Sequence, residues 1–144
     1  MAGFIDTLEQ AVLNHVLNDG SYSPPVAWYV ALGTTATTPT DTGAGFTEVS
    51  GGSYARVSTS AATWNAASGT APAIKDNGQT ITFPQATAAW GVVGYFGLFG
   101  AVSGGTVQIF GTLTGGPYTI STGTTPSFAP GALVIKLGDP GDSY

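Results

Sequence analysis

Between Asn77 and Ile135 the chain has no Asp, Glu, Lys, Arg or His, an uncharged run of 59 residues in a total of 144. Such a segment must meet solvent through backbone, hydroxyl and glycine surface, and must gather its apolar side chains into a shared core. It is built of β-branched and aromatic stretches cut at short intervals by Gly, Pro, Ser and Thr, a pattern that suits short strands and turns. Charge falls on only 8% of the whole chain, against roughly a quarter in an ordinary soluble domain. Acid–base, metal and phosphate chemistry all draw on charged side chains. The run therefore argues against an enzyme and for a protein that acts through its surface.

Other properties narrow the class. The apolar fraction of 42% is that of a folded protein rather than a disordered one, and the length fits one core of ordinary size. Net charge is −5, with Arg56, Lys75 and Lys136 as the only Lys or Arg, so the monomer cannot form a nucleic-acid surface. Without cysteine there is no disulfide and no thiolate metal site. Asp6 and Glu9, with no basic stretch before them, do not read as a secretory signal. Ala86–Val102 is long enough to consider as a membrane span, but it contains Gly91, Gly94, Gly97 and Gly100 and lacks flanking cations. It reads as buried strands, so no membrane partner is expected.

Periodicity predicts one helix, over residues 3–18. Phe4, Leu8, Val12 and Val16 share a stripe, and Asp6 and Glu9 sit at its positive end. Asn18-Asp19-Gly20 supplies the stop. The stripe needs cover, from this chain's own β body or from a neighbouring subunit. After Pro24-Pro25 the period changes. Val26–Leu32 is a strand with both faces apolar, followed by a Gly/Thr/Pro-rich stretch over residues 33–53 that is long enough to be a contact arm. Strands are expected at Tyr54–Ser60, Thr63–Ala66, Gln79–Phe83, Ala88–Phe99, Val107–Leu113, Tyr118–Ser121 and Ala132–Leu137, with a hairpin turn at Asp76-Asn77-Gly78. Glycine at every third position from Gly91 to Gly100 points to bulges or close backbone approach. The fold class is mainly β: an antiparallel β-sandwich, jelly-roll-like, with one N-terminal α-helix. The chain divides into a helix (1–20), a β-sandwich domain (26–137) and a C-terminal tail (138–144).

No residue set supports chemistry. His15 has no orienting partner or nucleophile beside it and reads as an exposed or capping histidine. Asp139 and Asp142 fall short of a calcium loop. No catalytic, cofactor or metal residues are expected. Arg56 is the only guanidinium in the chain, and Glu48 is a partner for it, as is a neighbouring subunit's loop. The candidate partner-binding residues are Phe4 and Leu8 on the helix stripe, Asp41 and Glu48 in the long loop, and Arg56. Trp28, Tyr29, Trp64, Trp90, Tyr95, Phe96 and Phe99 could stack on sugars, but aromatic residues in strands this apolar usually form the core.

Five segments, taken in order, carry a resemblance. They are WYVALGTT (Trp28–Thr35), GGSYARV (Gly51–Val57), ITFPQATAAWG (Ile81–Gly91), YFGLFGA (Tyr95–Ala101), and the closing pair GTLT (Gly111–Thr114) and FAPGALVIKL (Phe128–Leu137). In their order and spacing the chain resembles a family of small structural proteins of tailed bacteriophages, described as virion, minor head or tail proteins. It departs from that family at Gly100, where an acidic residue is expected after the aromatic strand. The resemblance implies a virion protein, assembled in the host cytoplasm, with the major capsid protein or other virion proteins as partners and a homo-oligomeric state, a trimer being favoured. The leading reading is a capsid decoration (cement) protein that binds the outer shell and clamps capsid subunits. The alternatives are a tail, baseplate or fibre component, and a carbohydrate-binding adhesin module.

Overall fold

A computed structural model describes residues 2–35, 45–69 and 72–137. In chain order its elements are β1 (Ala2–Phe4), α1 (Asp6–Val16), β2 (Trp28–Thr35), β3 (Thr47–Glu48), β4 (Val57–Thr59), β5 (Ala73–Asp76), β6 (Ile81–Thr82), β7 (Gly91–Val93), β8 (Tyr95–Phe99), β9 (Val107–Thr112), β10 (Tyr118–Ile120), β11 (Ser127–Phe128) and β12 (Val134–Leu137). A six-stranded antiparallel sheet runs β1-β9-β8-β2, and β3 and β4 both pair with β2. Three two-stranded antiparallel ladders accompany it: β7–β10, β6–β11 and β5–β12. The layout is the expected mainly β, sandwich-like arrangement with one helix. Among the described residues the strands outside the main sheet form these separate ladders rather than a second continuous sheet. Among the described residues no helix is long and apolar enough to cross a membrane.

The sheet is organised around β2. Val30, Ala31 and Leu32 are consecutive, so they point to alternate faces, and all three are buried. Both faces of the strand are therefore covered, as its unbroken apolar run predicts. One face is closed by the chain's own loop. Residues paired across strands share a face, which places Ala31 with Gly97 and Gly33 with Tyr95. Phe46 lies across this face, 5.8 Å from Phe99 and 6.2 Å from Phe110 between ring centroids. A Cβ on Gly33 would come within 2.7 Å of the Phe46 ring, and one on Gly97 within 2.8 Å of Val107 Cγ2 and 3.0 Å of the ring. Only glycine leaves room for the aromatic lid. The other face meets the ladders. Phe96 packs edge-on against Phe128 at 6.3 Å, Phe128 against Phe83 at 6.2 Å, and Phe83 stacks on Tyr54 at 6.3 Å. Each such side chain contributes roughly 1.5–3 kcal/mol on burial, so these rows dominate the stability of a chain this poor in charge.

Several local expectations change. The helix begins at Asp6 rather than residue 3, because Ala2–Phe4 form an edge strand on β9 and the Ile5 N–H continues the pairing by donating to Gln108 O (3.0 Å). Phe4 therefore belongs to a strand. The helix stop falls on Asn18, which takes the left-handed φ of 65°, instead of on Gly20. Thr63–Ala66 is not a strand: a single 3-10 turn at Ala61–Thr63 leads to an isolated bridge between Trp64 and Asn77. Asp76-Asn77-Gly78 does not join a hairpin, since β5 pairs with β12 and β6 with β11. Asn77 is instead fully buried and ties three segments together. Its Nδ2 donates to Gln79 O and Ala129 O (2.8 Å each), and its Oδ1 accepts from the Leu133 N–H (2.8 Å). The expected strand Ala88–Phe99 is two strands that change partner at Gly94, with β7 on β10 and β8 between β2 and β9.

Candidate functional site

Arg56 and Glu48 come together as their chemistry suggests. Arg56 lies just ahead of β4 and Glu48 ends β3, two strands that share the same edge of β2. The fork is bidentate: Nε donates to Glu48 Oε1 (2.8 Å) and Nη2 to Oε2 (2.6 Å). Nη1 donates to the carbonyls of Ala101 (2.7 Å) and Gly104 (2.8 Å) in the turn between β8 and β9. The guanidinium carbon stands 3.5 Å from the Phe99 ring centroid, a cation–π contact on one face of its plane.

The network continues inward from Glu48. The Tyr54 hydroxyl donates to Glu48 Oε1 (2.9 Å) and accepts from the Leu32 N–H of β2 (2.9 Å). Burial pushes the Tyr54 phenol well above its ordinary range, and the adjacent Glu48 carboxylate adds to that. The Leu32 hydrogen bond and the Arg56 charge oppose the shift. With its side chain only 5% exposed, Arg56 braces its own chain. Among the described residues no buried side-chain polar atom lacks a hydrogen-bond partner.

The other sequence candidates separate. Leu8 is buried in the protein's own core, and Phe4 is half-buried against it. Cover for the helix stripe is thus split. Its first half packs inward, whereas Leu13, Val16 and Leu17 are 59%, 71% and 75% exposed. Asp41 and the tail 138–144 lie outside the described residues. His15 is exposed, and its Nδ1 accepts from the Tyr22 N–H (3.3 Å), a capping role just beyond the helix. Trp90 is buried, with Nε1 donating to Gly52 O (3.0 Å) and its ring edge-on to Tyr54 at 5.2 Å. It is not available as a sugar platform. Trp64 is half-buried and donates to Thr59 Oγ1 (3.1 Å).

Sequence reasoning missed a cleft of about 850 Å³. Its floor is apolar, formed by Leu32, Phe83, Val93, Phe96 and Leu133. Residues of β10, β11 and β12 also line it. Among the described residues Lys136 is the only charged one that lines it. No local sequence signal marks it: β11 (Ser127–Phe128) lies between Pro126 and Pro130, where the sequence shows no strand pattern.

No group of three or more His, Cys, Asp or Glu side chains able to hold a metal occurs among the described residues. What the arrangement offers is a braced β body, an exposed apolar helix end and a cleft with an apolar floor. The family model described as podophage GP4 fiber I protein gp80 matches residues 3–136. No curated protein matches the chain.

Proposed function

The chain belongs to this family of phage fibre proteins and is a virion structural component, and on that premise we propose that it is a non-enzymatic fibre subunit attached to other virion proteins. The observation that carries the reading is the match to a fibre protein across residues 3–136, nearly the whole chain. The physical character of the surface supports it. An uncharged Thr- and Gly-rich surface costs little to desolvate on docking, whereas charges cost much unless they are paired. The one ion pair found among the described residues is satisfied internally. The exposed Leu13, Val16 and Leu17 of the helix end form the apolar contact in this proposal. Self-association as a trimer belongs to it too, because symmetric copies turn a weak contact into a strong one.

Copy number tests the assignment. Quantitative mass spectrometry of purified virions should find the protein at a small fraction of the major capsid protein, as expected for a fibre set by tail or vertex symmetry. A ratio near one to one would overturn the fibre reading in favour of a capsid cement protein. Native mass spectrometry of the purified protein tests the trimer directly.

A further inference from the structure

We propose that Asn77 is a site of spontaneous chemical modification that folding hides. The unfolded chain deamidates there, and the product no longer fits the fold.

The chemistry begins in the sequence. Asn is among the thermolabile residues, and its deamidation runs through the backbone nitrogen of the next residue. That nitrogen, once deprotonated, attacks the side-chain carbonyl carbon. A C–N bond forms, the bond to Nδ2 breaks, and the amide nitrogen leaves as ammonia. Water then opens the five-membered succinimide at either of its carbonyls, giving Asp or a β-linked isoaspartate. A following glycine speeds the attack, since no Cβ crowds the nitrogen. The asparagines of this chain are Asn14, Asn18, Asn65 and Asn77, and only Asn77 precedes Gly.

Folding opposes that reaction at each group it uses. The Gly78 N–H, whose proton must leave, donates to Thr63 O (2.8 Å). Nδ2, the leaving group, is held by Gln79 O and Ala129 O, and Oδ1 accepts from the Leu133 N–H (2.8 Å each). The main chain of Asn77 is fixed as well. Its N–H donates to Leu133 O (3.2 Å) and its carbonyl accepts from the Gly131 N–H (2.6 Å). Asn77 is also fully buried. Closing the succinimide ring breaks the side-chain bonds together, so it needs a local opening of the structure.

The same contacts explain why a labile pair stands at this junction. Asn supplies two donors and an acceptor on one short side chain, and all three are used. Gly78 is required because a Cβ there would collide with the Asn65 side-chain amide. The product fails on both counts. A carboxylate turns an oxygen toward Gln79 O and Ala129 O, where an N–H stood. It also carries charge into a fully buried place with no cation among its hydrogen-bond partners. The isoaspartate adds a methylene to the main chain and shifts the Asn77 N–H away from Leu133 O.

Mass spectrometry of the purified protein, aged at mildly alkaline pH in buffer or in guanidinium, tests the proposal. Cleavage after Lys75 and Lys136 isolates residues 76–136, in which Asn77 is the sole asparagine. The mass gained when its amide becomes an acid therefore reports the site. Conversion is expected to be at least about ten-fold slower in buffer than in guanidinium, as a local opening requires. In guanidinium, Gly78→Ala should remove the fast reaction. Chains aged in guanidinium and then diluted should refold only in proportion to the Asn77 they retain. Asn77→Asp, expressed directly, decides the same point without refolding, and should give a lower urea midpoint or no folded protein. Equal rates in buffer and guanidinium would overturn the protection. Refolding of the modified chains, or an Asn77→Asp protein as stable as the wild type, would overturn the mismatch of the product with the fold.

Discussion

Arg56 grips both oxygens of Glu48 at 2.8 and 2.6 Å while its remaining amino group holds two carbonyls of the β8–β9 turn. One side chain thereby joins the edge of the main sheet to a turn some 45 residues away in sequence. Removing it would leave the half-buried Glu48 carboxylate with the Tyr54 hydroxyl but no balancing charge, and two carbonyls without this donor. Arg56→Ala is expected to cost about 3 kcal/mol in chemical denaturation, in line with breaking a buried pair from one side. Arg56→Lys should recover only part of that, because an ammonium cannot make the fork. A double-mutant cycle with Glu48→Gln should show coupling, and strict additivity would contradict the brace.

Tyr54 makes the fold sensitive to alkali. Its phenol is raised in the folded state by burial, so the neutral form is favoured there and the unfolded chain loses its proton first. The stabilisation is fully present below about pH 10, the unfolded value. It declines as pH rises beyond that, at up to ~1.4 kcal/mol per pH unit. Urea midpoints measured between pH 8 and 11.5 should fall steeply above 10 in the wild type. In Tyr54→Phe, less stable at neutral pH, the fall should be shallower, and equal slopes would argue against Tyr54 as its source.

Gly33 and Gly97 should tolerate no side chain while Phe46 stays in place. Gly33→Ala and Gly97→Ala are each expected to destabilise by roughly 1–3 kcal/mol through overpacking. Combining Gly33→Ala with Phe46→Leu should cost less than the two single changes summed. Denaturation of the four proteins decides it.

Asn77→Ala should cost roughly 2–4 kcal/mol, since it leaves the buried Leu133 N–H and the Gln79 carbonyl without a partner and takes one of two donors from Ala129 O. Hydrogen exchange would localise the damage. Protection should be lost first in β12 and its partner β5, whereas uniform loss would mean that Asn77 supports the whole core.

Leu13→Ser with Val16→Ser should change stability by less than about 0.5 kcal/mol, as for exposed positions generally. If the helix end is the contact, virion incorporation falls nonetheless. Point changes are cleaner than deleting residues 1–18, which would also strip β1 from β9 and Leu8 from the core.

Much of this is legible from sequence where one segment carries the information. Strand β2 follows from an unbroken apolar run, and the Glu48–Arg56 pair from the scarcity of charge and a separation of eight residues. The mainly β class follows from the uncharged run. What escapes sequence depends on distant partners. The three residues Ala2–Phe4 have no pattern of their own, and only β9, over 100 residues later, makes them a strand. Asp-Asn-Gly carries strong local turn chemistry, but Asn77 is claimed by Ala129 and Leu133. The cleft is lined by residues from Leu32 to Lys136, and no single strand's sequence states it.

The change of partner at Gly94 carries a consequence for descent. Residues 91–99 serve two ladders in succession with one residue between them. An insertion or deletion there could keep one ladder in step only by slipping the other, and a slip of one residue turns every side chain to the opposite face. The length of that segment is therefore under stricter constraint than its composition. Lineages of this fold should vary in the residues they place there while never changing how many there are.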